Sequence, residues 1–409
     1  MSTHLLYTPN KPGRLVPTIT RRGRNIGFIP DPLPLALELP ADIPAALVAV
    51  RDAAAHLDRA IAAMPLPPDA VAFLRLREAI RSSAADRNLS ATFKLLTFQL
   101  DDGNDRKGNA AWNNAFTYRR ALYLGEELCR ESSPLPLCNL IQRLHQGLFG
   151  HRPRRLYFAG RFRRGPIQMG AGERYVPPPY EHVVPLLKTL ERQINRPADI
   201  DPLIRCFMVK YQIESIHPFA DGNGRIGRIV LALMLNRALG LAYPALDLSA
   251  AFCNHRERYT ASMFRVNTHG DWLPWIRFCL NASVAQSRDA ALRLRALKSW
   301  KERCLNQSGI GESIPAQRLL DHLVATPVVT AQSCAGLYDS DTKLAAAALQ
   351  TLQSAKVLVR TNPGGRTPRF VAPALVRMLL LSLNAGAHSH TRRPGDIVRR
   401  PGERRGPVG

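Results

Sequence analysis

Three things are scarce in this chain: paired cysteines, acidic residues and uninterrupted apolar runs. The seven cysteines among 409 residues stand singly, at Cys129, Cys138, Cys206, Cys253, Cys279, Cys304 and Cys334. The count is odd and no Cys-x-x-Cys occurs, which argues against a disulfide framework and a structural zinc site and predicts buried apolar packing. The longest apolar stretch, Ile229 to Leu246, is broken by Asn236, Arg237 and Pro244, so no bilayer span is predicted. Met1 to Leu15 lacks the apolar core of a signal peptide, and the expectation is a cytoplasmic protein that does not engage a membrane. Acids number 32 against 56 Lys and Arg, a net charge of +24. Such a field attracts polyanions: nucleic acid, nucleotides, acidic proteins or anionic lipid. The charge is spread out, with basic runs at Arg152 to Arg164 and Arg392 to Arg405, and solvated faces account for it equally well. Charge alone does not establish DNA binding.

What is present is an ordinary globular balance, 45% hydrophobic and 22% charged, which excludes a wholly disordered or fibrous chain. The length suggests two or three domains. Residues 1–45, rich in Pro and Arg, read as an extended arm. Helices are predicted over 42–101, where Ile43, Leu47, Val50, Ala54 and Leu57 recur at helical spacing and Asp69 is a candidate N-cap for a helix over Ala70 to Leu100. Further helices are predicted over 110–130, 134–149 and 180–195. Between them, 156–176 interleaves Tyr157, Gly160, Phe162 and Ile167 with Arg and Gly and reads as a hairpin. Asp201 and Pro202 suit a cap and first turn, and helices flank the break at His217-Pro218. Gly240 suits a C-terminal stop, and helices continue over 248–305. Residues 312–375 form a separate unit: helices at Ala316–Ala325, Ala331–Leu337 and Asp341–Ala355, then strands at Val357–Arg360 and Arg369–Val371 around Gly364-Gly365. That order reads as a winged helix-turn-helix. After Asn384 the Arg-, Pro- and Gly-rich composition predicts disorder. No internal repeat is visible.

The informative string is His217-Pro-Phe-Ala-Asp-Gly-Asn-Gly-Arg-Ile-Gly-Arg228. Gly222, Asn223 and Gly224 permit unusual backbone angles and sit just before a helix N-terminus, where free N–H groups and the dipole bind anions. Arg225 and Arg228 add fixed positive charge, and Asp221 is a hard oxygen ligand beside the nest. Mg²⁺ is usually held by one or two carboxylates plus substrate phosphates. His217, at the loop entrance, has an ordinary pKa of about 6.5, suited to general-base work. Gly222 to Gly227 also fits the G-x-G-x-x-G dinucleotide fingerprint, with Asp247 downstream. That fingerprint must follow a strand. Here a helical pattern and His217-Pro218 precede it, Pro244 weakens a strand at Leu241–Leu248, and the dinucleotide reading is set aside.

These residues resemble the Fic family of AMP-transferases, whose motif H-x-F-x-[DE]-G-N-G-R-x-x-R is matched at every specified position from His217 to Arg228. The resemblance extends to an N-terminal arm at Tyr7 to Pro34, a flap hairpin at Gly160 to Pro179 and a helix at Trp272 to Leu280. It implies a mainly α fold: an N-terminal arm and helical region over 1–110, a Fic core with its β-hairpin flap over 111–305, the winged helix over 312–378 and the basic tail over 385–409. It further implies protein adenylyltransferase activity, with ATP as nucleotide donor and Mg²⁺ as cofactor. His217 would deprotonate a Ser, Thr or Tyr hydroxyl that attacks the α-phosphorus. Asp221 would hold the metal, Gly222, Asn223 and Gly224 would form the anion hole, and Arg225 and Arg228 would hold the β- and γ-phosphates. Phe219 would anchor the loop in the core. Ile167, Gln168 and Met169 of the flap would align a target segment by strand addition. Tyr259 stands where many members carry a nucleoside-contacting Tyr-Tyr pair, here followed by Thr260.

Many Fic proteins inhibit themselves with a helix of pattern [S/T]-x-x-x-E-[G/N] whose Glu meets the second motif Arg. Ser82-Ser-Ala-Ala-Asp86-Arg87 is the matching stretch, with a shorter acid and Arg87 in the last place, and the expectation is a weakened brake. Around the recognition helix, Lys343, Gln350, Gln353 and Lys356 are polar, and Arg360, Arg366 and Arg369 follow in the wing. Direct base readout wants more Arg, Asn or Gln than that. The reading is AMP transfer to protein hydroxyls, self-modification included. The alternatives are a nucleotide-sensing DNA-binding regulator and a Fic enzyme with a different nucleotide donor. The target protein, nucleobase preference, homodimer formation and DNA binding stay open.

Overall fold

The computed structural model describes residues 6–20, 23–86, 110–130, 135–149, 159–167, 175–243, 245–361 and 368–380, except the side chains of 84–86, 110–114 and 116. The predicted tip of the flap, the wing loop with Gly364, Gly365 and Arg366, Arg87 and the basic tail lie outside them.

The described chain is mostly helical. Strands β1 (Gly13–Thr20) and β2 (Gly23–Pro30) pair antiparallel from Gly13↔Pro30 to Thr20↔Gly23. The predicted extended arm thus holds a two-stranded antiparallel pair. It joins the helical body through Phe28, whose N–H donates to the Val176 carbonyl at 2.9 Å. Tyr7 stacks on Phe28, and Thr8 donates to the Thr268 carbonyl from its N–H and its hydroxyl.

Helix α1 (Asp42–Ala62) presents Ile43, Leu47, Val50, Ala54 and Leu57 inward, as the spacing predicts. Helix α2 spans Pro67–Asp86, so it starts earlier than expected. Prolines suit a first turn because its N–H groups lack intrahelical partners. Asp69 therefore lies in the first turn and is not the cap. Helices α3 (Ala110–Arg130), α4 (Leu137–Phe149) and α5 (Val183–Asn195) follow as predicted, the last after one turn of 3₁₀ helix at Tyr180–His182.

Helix α6 (Pro202–Ile216) is the centre of the fold. Asp201 caps it, accepting from the Leu203 N–H at 2.9 Å, and every residue from Cys206 to Ile216 is buried. A helix buried on all sides must bond its polar side chains internally. Accordingly, Gln212 donates to the Asp31 carbonyl, Ser215 meets Tyr175 and Asn267, and Lys210 pairs with Glu214. Helix α7 (Asn223–Leu239) packs on α6 and ends at Gly240 with φ 61°, the predicted stop. Among the described residues between α7 and α8 (Ser249–Asn254) there is no strand, which counts against the dinucleotide alternative's downstream element. Helix α9 (Arg256–His269) precedes α10 (Leu273–Leu305), 33 residues long.

At 1.5 Å per residue α10 runs about 50 Å. Its first half joins an apolar cluster with α6 and α7, and its second half joins another with the C-terminal unit. That unit comprises α11 (Ile314–Ala325), β3 (Val328–Thr330), α12 (Ala331–Ala335), α13 (Thr342–Ser354), β4 (Val359–Arg360), β5 (Arg369–Val371) and α14 (Pro373–Leu380). The sheet order is β3-β5-β4, all antiparallel. Strand β3 was not foreseen; it has three residues and no alternation to read. Of the cysteines, Cys206, Cys279, Cys304 and Cys334 are buried, Cys138 and Cys253 are partly so, and Cys129 is exposed, against the expectation for it.

Candidate active site

The chain leaves α6 at His217, which adopts φ 52° and ψ 61°. A left-handed backbone is rare for a residue with a side chain and costs about 1–2 kcal/mol. It turns the loop back across the end of α6, while the His217 N–H still donates to the Ile213 carbonyl. The ring nitrogen Nδ1 lies 3.3 Å from the Glu214 carbonyl. A carbonyl only accepts, so Nδ1 carries the hydrogen and Nε2 keeps its lone pair. The ring is half-buried. Loss of hydration pushes its pKa down to about 4, with the Arg163 charge adding to that and the Glu214 carbonyl and Asp221 opposing it. The imidazole is neutral at physiological pH.

Phe219 is fully buried and fixes the middle of the loop, as expected. The Asn223 side chain closes the loop around it: Oδ1 accepts from the Phe219 N–H and Nδ2 donates to the Phe219 carbonyl, both at 2.8 Å. The Asn223 side chain is thus engaged in closing the loop. Gly222 has φ 84°, and a Cβ there would lie 2.7 Å from Phe149. Both facts require glycine.

Asp221 is solvent-facing, with its side chain 45% exposed. Its Oδ1 accepts from the Gly222 N–H at 2.6 Å and from Arg225 at 3.3 Å. Arg225 is buried, its guanidinium 4.9 Å from the Phe149 ring centre, and it braces Asp221 from behind. Arg228 is buried too. Its Nε donates to Ser82 Oγ at 2.7 Å and its Nη2 to the Ser82 carbonyl at 2.9 Å. So the end of α2 meets the second motif arginine. Helix α2 reaches Asp86, whose side chain is outside the described residues.

These residues open on a cleft of about 1200 Å³. His217, Asp221, Gly222, Asn223, Gly224 and Arg228 line one side, with the N-terminus of α7 pointing in. Helix α9 lines the other through Tyr259, Thr260, Met263 and Phe264, and Ile167 stands at the rim. Gln168 and Met169 are outside the described residues. Tyr259 stacks on Phe252, and its hydroxyl lies 2.5 Å from Glu214 Oε2 and 2.6 Å from Lys210 Nζ. Lys210 is wholly buried, 3.1 Å from Glu214 and 4.2–4.8 Å from the ring centres of Phe252, Tyr259 and Trp275. Burial lowers its pKa, while the Glu214 charge opposes that. Gly227 makes room, since a Cβ there would press on Glu214 Oε1 at 3.1 Å. Among the described residues no group of three or more His, Cys, Asp or Glu is arranged to hold a metal.

Residues 136–235 match the family model described as Fic/DOC family. Over those residues the chain is similar to the Fic/DOC family. Protein adenylyltransferase fic-1 of Caenorhabditis elegans is 31% identical over 163 residues, 39% of this chain and 29% of its own. Protein adenylyltransferase Fic of Culex quinquefasciatus is 28% identical over 158 residues, 38% of this chain and 29% of its own. The matched stretch is thus under a third of either relative. A Fic family protein of Desulfovibrio desulfuricans G20 has a crystal structure with TM-score 0.50 and 19% identity, covering 83% of this chain and 98% of that one. At that identity the likeness is one of fold. The chain shares the mainly helical Fic fold, and no described helix is long and apolar enough to cross a membrane.

Two residues that touch the loop were not legible as site residues. His145, on α4, accepts from the Gly160 N–H at Nδ1 (2.8 Å) and faces the Asp221 carbonyl with Nε2 (3.1 Å). It stacks on Phe219 at 4.0 Å. Burial pushes its pKa down to about 4, with the Asp221 carbonyl opposing that and the Arg225 charge adding to it. Arg163, read as part of a solvated basic run, is buried against the loop. No local signal marks either one: they sit 72 and 54 residues before His217 in sequence.

Proposed function

We propose that this protein transfers AMP from ATP to hydroxyl side chains of proteins, itself included, with His217 as general base. The observation that carries this reading is the state of His217: a neutral ring, Nδ1–H turned to the Glu214 carbonyl, and Nε2 without a protein partner among the described residues at a cleft bordered by a helix N-terminus. Nε2 takes the proton from a target hydroxyl, whose oxygen bonds to the α-phosphorus. The bond from that phosphorus to the bridging oxygen breaks, and pyrophosphate leaves. The Gly222–Gly224 backbone and the α7 dipole receive phosphate charge. Arg228 takes the terminal phosphates once freed from Ser82. Arg225 acts by holding Asp221.

The residues fit Mg²⁺. Asp221 faces solvent and has one oxygen occupied by Gly222 and Arg225, which leaves the other toward the cleft, and one carboxylate completed by phosphates suits this ion. When bound, the ion neutralises phosphate charge. Tyr259 and the α9 wall take the nucleoside side, and Ile167, Gln168 and Met169 dock the target segment.

We read Ser82 and Asp86 as an inhibitory contact on Arg228, supported by the two Ser82 bonds. The order α11-β3-α12-α13-β4-β5 supports a winged-helix reading of the C-terminal unit. Lys343, Gln350, Lys356 and Arg360 are exposed on it, which keeps a DNA-binding regulator as the alternative. Labelling with α-phosphate-labelled ATP and Mg²⁺ tests the reading: AMP-mass adducts absent in His217→Ala support it, and adducts that persist in His217→Ala contradict it.

A further inference from the structure

Segment 159–165 touches the catalytic loop at two points, and neither contact belongs to the motif. One runs from Gly160 through His145 to the Asp221 carbonyl. The other is Arg163. Its Nε donates to the His217 carbonyl at 2.8 Å, its Nη2 to the Pro178 carbonyl at 2.5 Å and the Ile216 carbonyl at 3.4 Å, and its Nη1 to the Gly165 carbonyl at 3.3 Å. Its own N–H donates to the Pro218 carbonyl at 2.9 Å. All these acceptors are neutral carbonyls, so a buried guanidinium is being used for geometry, where five donors in a fixed plane are its asset. Three of them lie at residues 216–218, where the chain takes its left-handed step. We propose that Arg163 is a positioning residue: it holds the backbone at His217 so that the ring keeps its Nδ1–H on Glu214 and its Nε2 toward the cleft. The same guanidinium reaches the Gly165 and Pro178 carbonyls, one on each described arm of the flap, so those arms and the base are held in one piece.

This rests on the proposed role of His217, and the test has a readout independent of activity. Nitrogen-15 NMR of the His217 ring is compared in wild type, Arg163→Met and Arg163→Lys, with His217→Ala to assign the signal and melting temperature as a check on folding. The prediction is a single Nδ1–H tautomer in wild type, a tautomer mixture in Arg163→Met and an intermediate state in Arg163→Lys. Where AMP transfer is measurable, kcat falls about 100-fold in Arg163→Met, the usual cost of a misplacement near 1 Å, with KM for ATP within about twofold, since Gly222 to Gly224 are untouched. If Arg163→Met does not fold, Arg163→Lys decides. A wild-type tautomer in a folded variant overturns the proposal, as does a parallel loss in KM and melting temperature with the tautomer unmoved. Absence of AMP transfer in the wild type counts against the proposed function, and the NMR result still judges Arg163.

A separate set of contacts concerns α2. Its apolar residues Val71, Phe73, Leu74 and Ile80 belong to the core of the C-terminal unit, with Leu320 and Leu379. Arg81, beside Ser82, donates to the Leu380 carbonyl at the end of α14. Arg77 pairs with Asp289 of α10 at 2.8 Å, and Arg293 joins Asp289 to the Met378 carbonyl. The helix that holds Arg228 is thereby fastened to α14, the last described helix of the C-terminal unit. We infer that the C-terminal unit controls the seating of Ser82 on Arg228, so that displacement of α14 releases the arginine for phosphate.

This inference rests on Ser82 being inhibitory, and Arg81→Gln is therefore compared with Ser82→Ala. In Arg81→Gln, amide hydrogen exchange is expected to rise at 79–83 and 376–380 but not in α6, and labelling to rise about tenfold, within the usual range of coupling between sites. Unchanged exchange at 79–83 overturns the inference. So does raised exchange with unchanged labelling when Ser82→Ala labels strongly. If Ser82→Ala leaves labelling unchanged, the inhibitory reading fails, and the exchange pattern still decides whether α14 seats α2.

Discussion

Ser82 accepts two hydrogen bonds from Arg228, one through its hydroxyl at 2.7 Å and one through its carbonyl at 2.9 Å, and so ties the end of α2 to the last residue of the motif. Charge-assisted bonds of this kind are worth roughly 1.5–3 kcal/mol each where buried. An incoming phosphate must compete with them. Ser82→Ala removes the hydroxyl bond and leaves the carbonyl. The expected outcome is tighter ATP binding and faster self-labelling, roughly 10-fold, with a further gain on adding Asp86→Ala. Titration with ATP and the rate of label incorporation measure both, and an unchanged ATP affinity in Ser82→Ala contradicts the brake.

Gly222→Ala adds a methyl that meets the Phe149 ring at 2.7 Å in a backbone conformation with φ 84°. The variant is expected to lose about 1–3 kcal/mol of stability and most of its phosphate affinity, because the N–H groups of the nest move together. Thermal melting with and without ATP checks both. A variant with native melting and native ATP response contradicts the stated geometry.

Much of this was readable from sequence where the chemistry is contiguous. His217 to Arg228 holds base, carboxylate, glycines and both arginines within twelve residues, and a helix start needs only local angles. The cap at Asp201 and the stop at Gly240 were likewise local and stand as read. Asp69 misled because Pro67 and Pro68 are better first-turn residues than its carboxylate is a cap. The N-terminal hairpin was missed because β1 and β2 show no clean alternation: β1 mixes half-buried and exposed residues, and β2 passes from exposed at Gly23 to buried over its last four residues. His145, Arg163 and Lys210 escaped for another reason. Each acts through a partner that tertiary packing brings close, or through burial that composition cannot show. In Arg163 the charge suggested water, while the fold spends its planar donors on carbonyls.

Lys210 and Glu214 form a buried pair beneath the cleft, with the Tyr259 hydroxyl touching both. Removing one partner of such a pair usually costs about 3–5 kcal/mol, because a buried charge is left behind. Lys210→Met is expected to destabilise by that amount, and Lys210→Met with Glu214→Gln to recover most of it. Chemical denaturation of the single and double variants gives the coupling, and strict additivity contradicts the pairing.

His145 sets a pH dependence. In the unfolded chain its ring takes up a proton near pH 6.5, whereas burial in the fold pushes its pKa down to about 4. Between these values the unfolded state binds more protons, so stability rises with pH across the window and is lost as pH falls from about 6.5 to about 4. The full loss from this residue is on the order of 3 kcal/mol. Melting curves of wild type and His145→Gln should therefore converge as pH falls through that range. A constant gap between them contradicts a neutral, buried His145.

The central claim is that His217 is the base for AMP transfer. The most direct measurement is intact mass of the purified protein after incubation with ATP and Mg²⁺, beside His217→Ala and Ser82→Ala. The account predicts AMP-mass adducts in wild type, more of them in Ser82→Ala and none in His217→Ala. Equal adducts in wild type and His217→Ala, or none in any of the three, would contradict it.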